Sequence, residues 1–190
     1  FGSVADDTET YMIKSPSRGR VTPESLIAGS CNVITSGTIA RREKVVGCGA
    51  FDEELPRIGM EDYDLWFRLA KSGARLDYGQ RVLLKYRVRA DSLSGSNVQR
   101  AERSLTGLDI LAKKYRLTET EKKVMAKSRA ETQAELELEK GKFHLARGDY
   151  RQACASIRRA NRHYRRFKLL VLGWMIKFQP KLILKIFQKI

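Results

Sequence analysis

The apolar positions of this chain change period along its length, and the changes mark its elements. From Cys31 to Ile39 the residues are β-rich without regular alternation (Val33, Ile34, Thr35, Thr38, Ile39), which predicts a strand there. Ala74–Tyr78 reads as a short strand and Val82–Val88 as a stronger one. Between these runs, Glu61 to Ala70 reads as a helix. Leu65, Trp66, Leu69, Ala70, Tyr63 and Phe67 share one broad arc, with Glu61, Asp64 and Arg68 opposite. Asp62 falls inside the apolar arc. Lys71-Ser72-Gly73 closes this helix with a glycine past its last turn. Upstream, Thr22-Pro23-Glu24 starts a short helix with Pro at its first position, and Val45-Val46-Gly47 forms a helical turn.

Beyond residue 95 the pattern is helical throughout. Ser96–Tyr115 carries Leu105, Leu108, Ile110 and Leu111 as its apolar residues. Thr118 with Glu121 is a capping box that opens a long helix to about Arg147. Its charged middle, Lys122 to Glu139, is expected at the surface. Gly141, Gly148, Tyr150, Ala153, Ile157 and Ala160 match a tetratricopeptide-like helix pair turning at Gly148-Asp149, though a plain helical hairpin would show the same spacing. Leu169–Ile176 is an apolar run of eight residues, far short of the ~20 needed to span a bilayer. Pro180 opens a further helical pattern with Lys181, Lys185 and Lys189 on one side and Leu182, Ile186 and Phe187 on the other. Such a face packs on protein or lies in an anionic membrane interface.

Charge sharpens this division. The chain has 190 residues and a net charge of +15. Residues 140–190 hold fourteen Lys and Arg against one acid, Asp149, while residues 1–139 are nearly balanced at +2. The basicity therefore belongs to the C-terminal quarter and is to be explained there. The apolar content suits a packed domain, alone or with an appendage. Cys31, Cys48 and Cys154 have no metal or disulfide spacing, which suits a reducing compartment, and His144 and His163 have no ligand partners at metal spacing. The chain opens on Phe1 with neither an initiator Met nor a signal peptide, so it reads as a fragment or a trimmed polypeptide.

Asp62 is the first candidate for chemistry. A carboxylate in the apolar arc is either capping the first helical turn, where free N–H groups favour an anion, or held at a site. The glycines around Cys48 form no dinucleotide or phosphate-loop pattern and read as packing turns or ligand contacts. Trp66 points with Leu69 and Ala70, as a core residue does, and Arg68 stands four residues after Asp64 as a surface pair.

Four stretches in order carry a family resemblance: Thr38-Ile39-Ala40-Arg41-Arg42; Val46-Gly47-Cys48-Gly49-Ala50-Phe51-Asp52-Glu53; Glu61-Asp62-Tyr63-Asp64-Leu65-Trp66; and Tyr86-Arg87 followed by Ser92-Leu93-Ser94. Together they resemble the second half of the catalytic domain of family 2 glycosyltransferases, over roughly residues 1–95. The resemblance implies a partial GT-A fold, an α/β nucleotide-diphospho-sugar transferase architecture, followed by an all-α extension. Its parts would be a catalytic portion at 1–95, connecting helices at 96–133, a tetratricopeptide-like pair at 134–166 and a basic amphipathic tail at 167–190. It implies inverting transfer of a sugar from a nucleotide-sugar donor to a glycan or lipid-linked acceptor in surface polysaccharide synthesis. Asp62 would be the general base and Glu61 would orient the acceptor. A sugar hydroxyl is a poor nucleophile, and one carboxylate within hydrogen-bond reach activates it. Arg87 and Arg89 would meet the donor phosphate or be surface charge. No Asp-x-Asp motif occurs, so the Mg2+ or Mn2+ ion of the full-length enzyme would take its ligands upstream, and this chain alone would be inactive. The expected location is cytoplasmic, at the inner membrane face through residues 167–190, with no nucleic acid bound. The alternative is a non-catalytic helical scaffold or adaptor whose basic tail binds acidic partners or nucleic acid.

Overall fold

The computed structural model describes residues 17–56, 59–79, 84 and 96–179. Seven helices occur among them: α1 (Pro23–Ile27), α2 (Arg42–Gly47), α3 (Glu61–Lys71), α4 (Asn97–Lys114), α5 (Glu119–Ala146), α6 (Tyr150–Tyr164) and α7 (Phe167–Phe178). The expectation of an α/β fold is corrected. Among the described residues there is no sheet, and the β-pairing is a single antiparallel bridge, Val21 with Leu76.

The predicted strand at 31–39 is instead a loop around a 3-10 turn at Thr35–Gly37. The reason is local. The Thr38 hydroxyl donates to Ile34 O at 2.8 Å and the Thr38 N–H to Thr35 O at 3.1 Å, so the segment closes on itself rather than offering a ladder. Of the Val82–Val88 run only Leu84 lies within the described residues.

By its internal contacts the chain divides into two compact units, residues 1–95 with 106–128, and residues 96–105 with 129–190. The first is organised on α3. Leu65, Trp66, Leu69 and Ala70 pack with Leu26 and with flanking Val21, Val33 and Val45. Phe67 faces the other way, onto Ile27, Leu108, Leu111 and Met125. A helix covered on two sides needs no clean amphipathic split, which explains its sequence pattern. Its acids, Glu61, Asp62 and Asp64, sit in the first turn and Arg68 and Lys71 in the last, both favourable to the helix dipole. It ends in a Schellman turn. Gly73, at φ +81°, donates to Ala70 O, and Ala74 donates to Leu69 O.

Neighbouring ends are tied down by caps. Thr22 and Ser25 form a reciprocal capping box on α1. Thr118 and Glu121 do the same for α5, and Glu121 also receives Lys71 Nζ at 2.7–2.8 Å. The Ser128 hydroxyl donates to Ile27 O at 2.6 Å, satisfying a carbonyl at the end of α1. Gly107 leaves the room that Met60 fills.

The second unit is a helical stack. α5 and α6 meet where Gly141 faces Ile157, so closely that a Cβ on Gly141 would lie 2.7 Å from Ile157 Cγ1. Gly148 turns the chain at φ +77°, and the Asp149 carboxylate caps α6 by accepting from Gln152 N–H. Ala153, Cys154, Ile157, Leu145 and Ile176 form the core, with Leu169, Leu172 and Met175 of α7 packed against it. The Cys154 thiol donates to Gly173 O at 3.3 Å.

Candidate functional site

α3 places its two inward-reaching carboxylates in unlike settings. Asp62 is half-buried at the helix start. One oxygen accepts from the Tyr63 N–H at 2.7 Å and the other from the Thr35 hydroxyl at 2.9 Å. Thr35 in turn accepts from the Trp66 indole N–H at 3.2 Å. Asp62 therefore ties the loop at Thr35 to the first turn of α3, although it is not the helix cap, which is Met60. Glu61 beside it is exposed.

Asp64, two residues on, is 2% exposed. It accepts from Arg68 Nε and Nη2, both at 2.8 Å, and from the Tyr115 hydroxyl at 2.6 Å, with Lys114 Nζ at 3.5 Å. Arg68 spends its remaining donors on the carbonyls of Cys48 and Ala50, and Lys114 also pairs with Asp52. The pair taken from sequence as a surface i,i+4 contact is thus the centre of a network. It clamps the 48–52 loop, where Gly49 and Ala50 both have positive φ, onto α3 and the end of α4. Every donor and acceptor supports a neighbour. Burial lowers the Lys114 pKa, but the contacts with Asp52, Tyr115 and Asp64 outweigh it and raise the net value. Burial and the Asp64 carboxylate both raise that of Tyr115. The Lys114 contact and the Glu54 N–H hold Asp52 below its ordinary value.

Arg87 and Arg89 lie outside the described residues, as does the Tyr86-Arg87…Ser94 stretch. Among the described residues no three His, Cys, Asp or Glu side chains cluster as a metal would need. The Asp64 carboxylate is taken up by Arg68, Tyr115 and Lys114, so the network above is not assigned to a divalent cation.

No protein-family model, curated protein or solved structure matches the chain. The helical architecture of the described residues, with no sheet among them, overturns the glycosyltransferase resemblance. With it go the nucleotide-sugar donor and the glycan or lipid-linked acceptor. Of the motif-like residues of α3, Leu65, Trp66 and Leu69 are taken up by packing and Asp64 by its network. The membrane expectation for residues 167–190 is corrected as well. No described helix is long and apolar enough to cross a membrane, and Leu169, Leu172, Met175 and Ile176 of α7 are spent on the protein core. The Pro180–Ile190 pattern lies outside the described residues.

What remains as a candidate interaction surface is on α6 and α7. From Tyr150 to Gln179 there are eight Lys and Arg and no acid. Arg159 pairs with Glu137 at 2.7 Å across to α5. Arg151, Arg158 and Arg162 stand on another line of α6, within about 40° of arc at 100° per residue, and all are exposed. Among the described residues none of these three pairs with a carboxylate. α7 opens with Arg165, Arg166 and Lys168 around its first turn and no side-chain cap, a placement the helix dipole disfavours. Sequence counting located this charge, but the arginine column needed the helix to be placed.

Proposed function

We propose that this chain is a non-catalytic helical adaptor that binds acidic protein partners through its C-terminal helices. The observation that carries the reading is the column Arg151, Arg158 and Arg162, exposed on α6 and without a carboxylate partner among the described residues. Arg158 and Arg162 are like charges at i,i+4, an arrangement that lowers helix stability. Carboxylates from a partner supply the missing charge. Arginine suits them better than lysine because its planar fork meets a carboxylate in two parallel bonds. A protein partner is favoured over nucleic acid because the helix beside the column, α7, presents aliphatic as well as aromatic side chains, which a sugar-phosphate backbone does not reward.

The test is fluorescence anisotropy of the full chain with a labelled poly-glutamate peptide and, separately, a short DNA duplex. The peptide is expected to bind, to weaken with salt, and to lose at least ~10-fold in affinity when Arg151, Arg158 and Arg162 are all changed to Glu. Absence of peptide binding, binding indifferent to the triple change, or a duplex that binds while the peptide fails to compete would each overturn the reading.

A further inference from the structure

The side of α7 turned away from α6 carries Phe167, Leu170, Val171, Trp174 and Phe178, all exposed. Their spacing of three, one, three and four places them within about 100° of arc, along about 16 Å of helix. Trp174 is 63% and Phe167 77% exposed, and the rings of Trp174 and Phe178 meet at 4.7 Å. The opposite side of the same helix is already in the core, through Gly173 and Ile176. The outer stripe stands outside the core cluster of this unit. Lys168 lies on one flank of it and Lys177 on the other, both exposed.

We propose that this stripe docks an acidic amphipathic helix of a partner protein. The inference rests on the adaptor reading and gives that partner a shape. Anchors at i, i+3, i+4 and i+7 are the contacts that one helix makes along another, and a paired Trp and Phe make a desolvated centre for such an interface. Charge selects the occupant. One lysine on each side, with no acid between Tyr150 and Gln179, matches glutamates flanking the apolar face of the incoming helix. A second copy of this chain would bring the same positive charges against themselves. The chain's own residues 180–190 carry three lysines and no acid, so they are a poor match too.

The experiment uses the full chain and two labelled synthetic peptides of equal composition. One is a Glu/Leu peptide with Leu at helical i, i+3, i+4 and i+7, the other its scramble. The amphipathic peptide is expected to bind at least ~10-fold tighter than the scramble and to shift tryptophan emission to the blue. Trp174→Ala, at an exposed position, should leave the melting curve unchanged, remove the preference and abolish the shift, with Trp174→Phe restoring most of the affinity. Lys168→Glu with Lys177→Glu should transfer the preference to a Lys/Leu peptide. If both peptides bind alike, the docking inference fails and the adaptor reading stands; if neither binds, both fail. Four other results overturn the docking inference. One is a dimer in sedimentation that Trp174→Ala dissolves. Another is binding to phosphatidylglycerol vesicles that needs Trp174 while the peptide does not compete. A third is tighter binding of a single-stranded RNA at the same residues. The last is acrylamide quenching in which Trp174 is protected until the chain is ended at Gln179.

Discussion

The Tyr115 hydroxyl donates a 2.6 Å hydrogen bond to Asp64 Oδ1, joining the segment after α4 to a carboxylate fifty-one residues earlier. Asp64 is buried, and its other partner, Arg68, holds the 48–52 loop. Removing the hydroxyl leaves a buried carboxylate short of a donor. Tyr115→Phe should cost about 1–2 kcal/mol of the first unit's stability in urea denaturation.

The two carboxylates of α3 should behave differently. Asp64→Asn leaves Arg68 and Lys114 without their shared charge and should cost about 3 kcal/mol or more. Asp62→Asn keeps an amide oxygen for Thr35 at a half-buried position and should cost less than about 1 kcal/mol. Equal losses would mean that the Asp64 network does not anchor this unit.

Stability should fall with acid partly through Glu121. Burial alone would raise its pKa, but Lys71 and the Thr118 N–H bind the charged form and leave it below the ordinary glutamate value. A lowered carboxylate contributes stability that is complete above about pH 5 and is lost as pH drops through the folded-state value. Urea midpoints measured from about pH 6 to 3 should decline, and Glu121→Gln should start lower at neutral pH and decline less. Asp52 shares this direction, so part of the slope should survive the change.

The close approach of Gly141 to Ile157 invites a double-mutant cycle. Gly141→Ala brings a methyl into Ile157 Cγ1 and should destabilise by about 1–3 kcal/mol. Ile157→Ala alone opens a cavity and should cost about 2–4 kcal/mol. Together the two should cost at least ~1 kcal/mol less than their sum, because the added methyl enters the space vacated. Additive losses would contradict the contact.

Thr35 links Asp62 to the Trp66 indole. Thr35→Val removes both bonds while keeping the shape. It should change the emission of the buried Trp66 and cost about 1 kcal/mol.

The residues that could be read in advance carry their structural cause locally. Thr118 and Glu121 cap α5 by reciprocal bonds three residues apart, and Gly73 ends α3 because only its own backbone must turn. Asp64 could not be read that way. A helical projection gives its direction, opposite Leu65 and Leu69, but not the presence of Tyr115 and Lys114 on that side. The same limit explains the misleading resemblance. Acids in a first turn followed by Leu and Trp satisfy the dipole and the core of any buried helix, so the run Glu61–Trp66 is less specific than it looks. The β-rich run near Val33 failed for a further reason. The Thr38 hydroxyl there bonds back to Ile34 O, which propensity does not count. Likewise, the fourteen basic residues of the C-terminal quarter could be counted, while the placing of Lys168 and Lys177 beside the exposed stripe needed α7 docked on α6.

The hydrogen bond from Ser128 to Ile27 O also sets an order in time. α1 has five residues, too few to persist alone in water. The side chain that closes its last turn is 101 residues further along. At ribosomal speeds of about 5–20 residues per second, α1 waits roughly 5–20 s for that partner to be made. Leu26 and Ile27 gain their α3 partners, Leu65 and Phe67, well within that interval. The geometry thus implies that α1 docks on α3 first and has its end fixed only when Ser128 has been made.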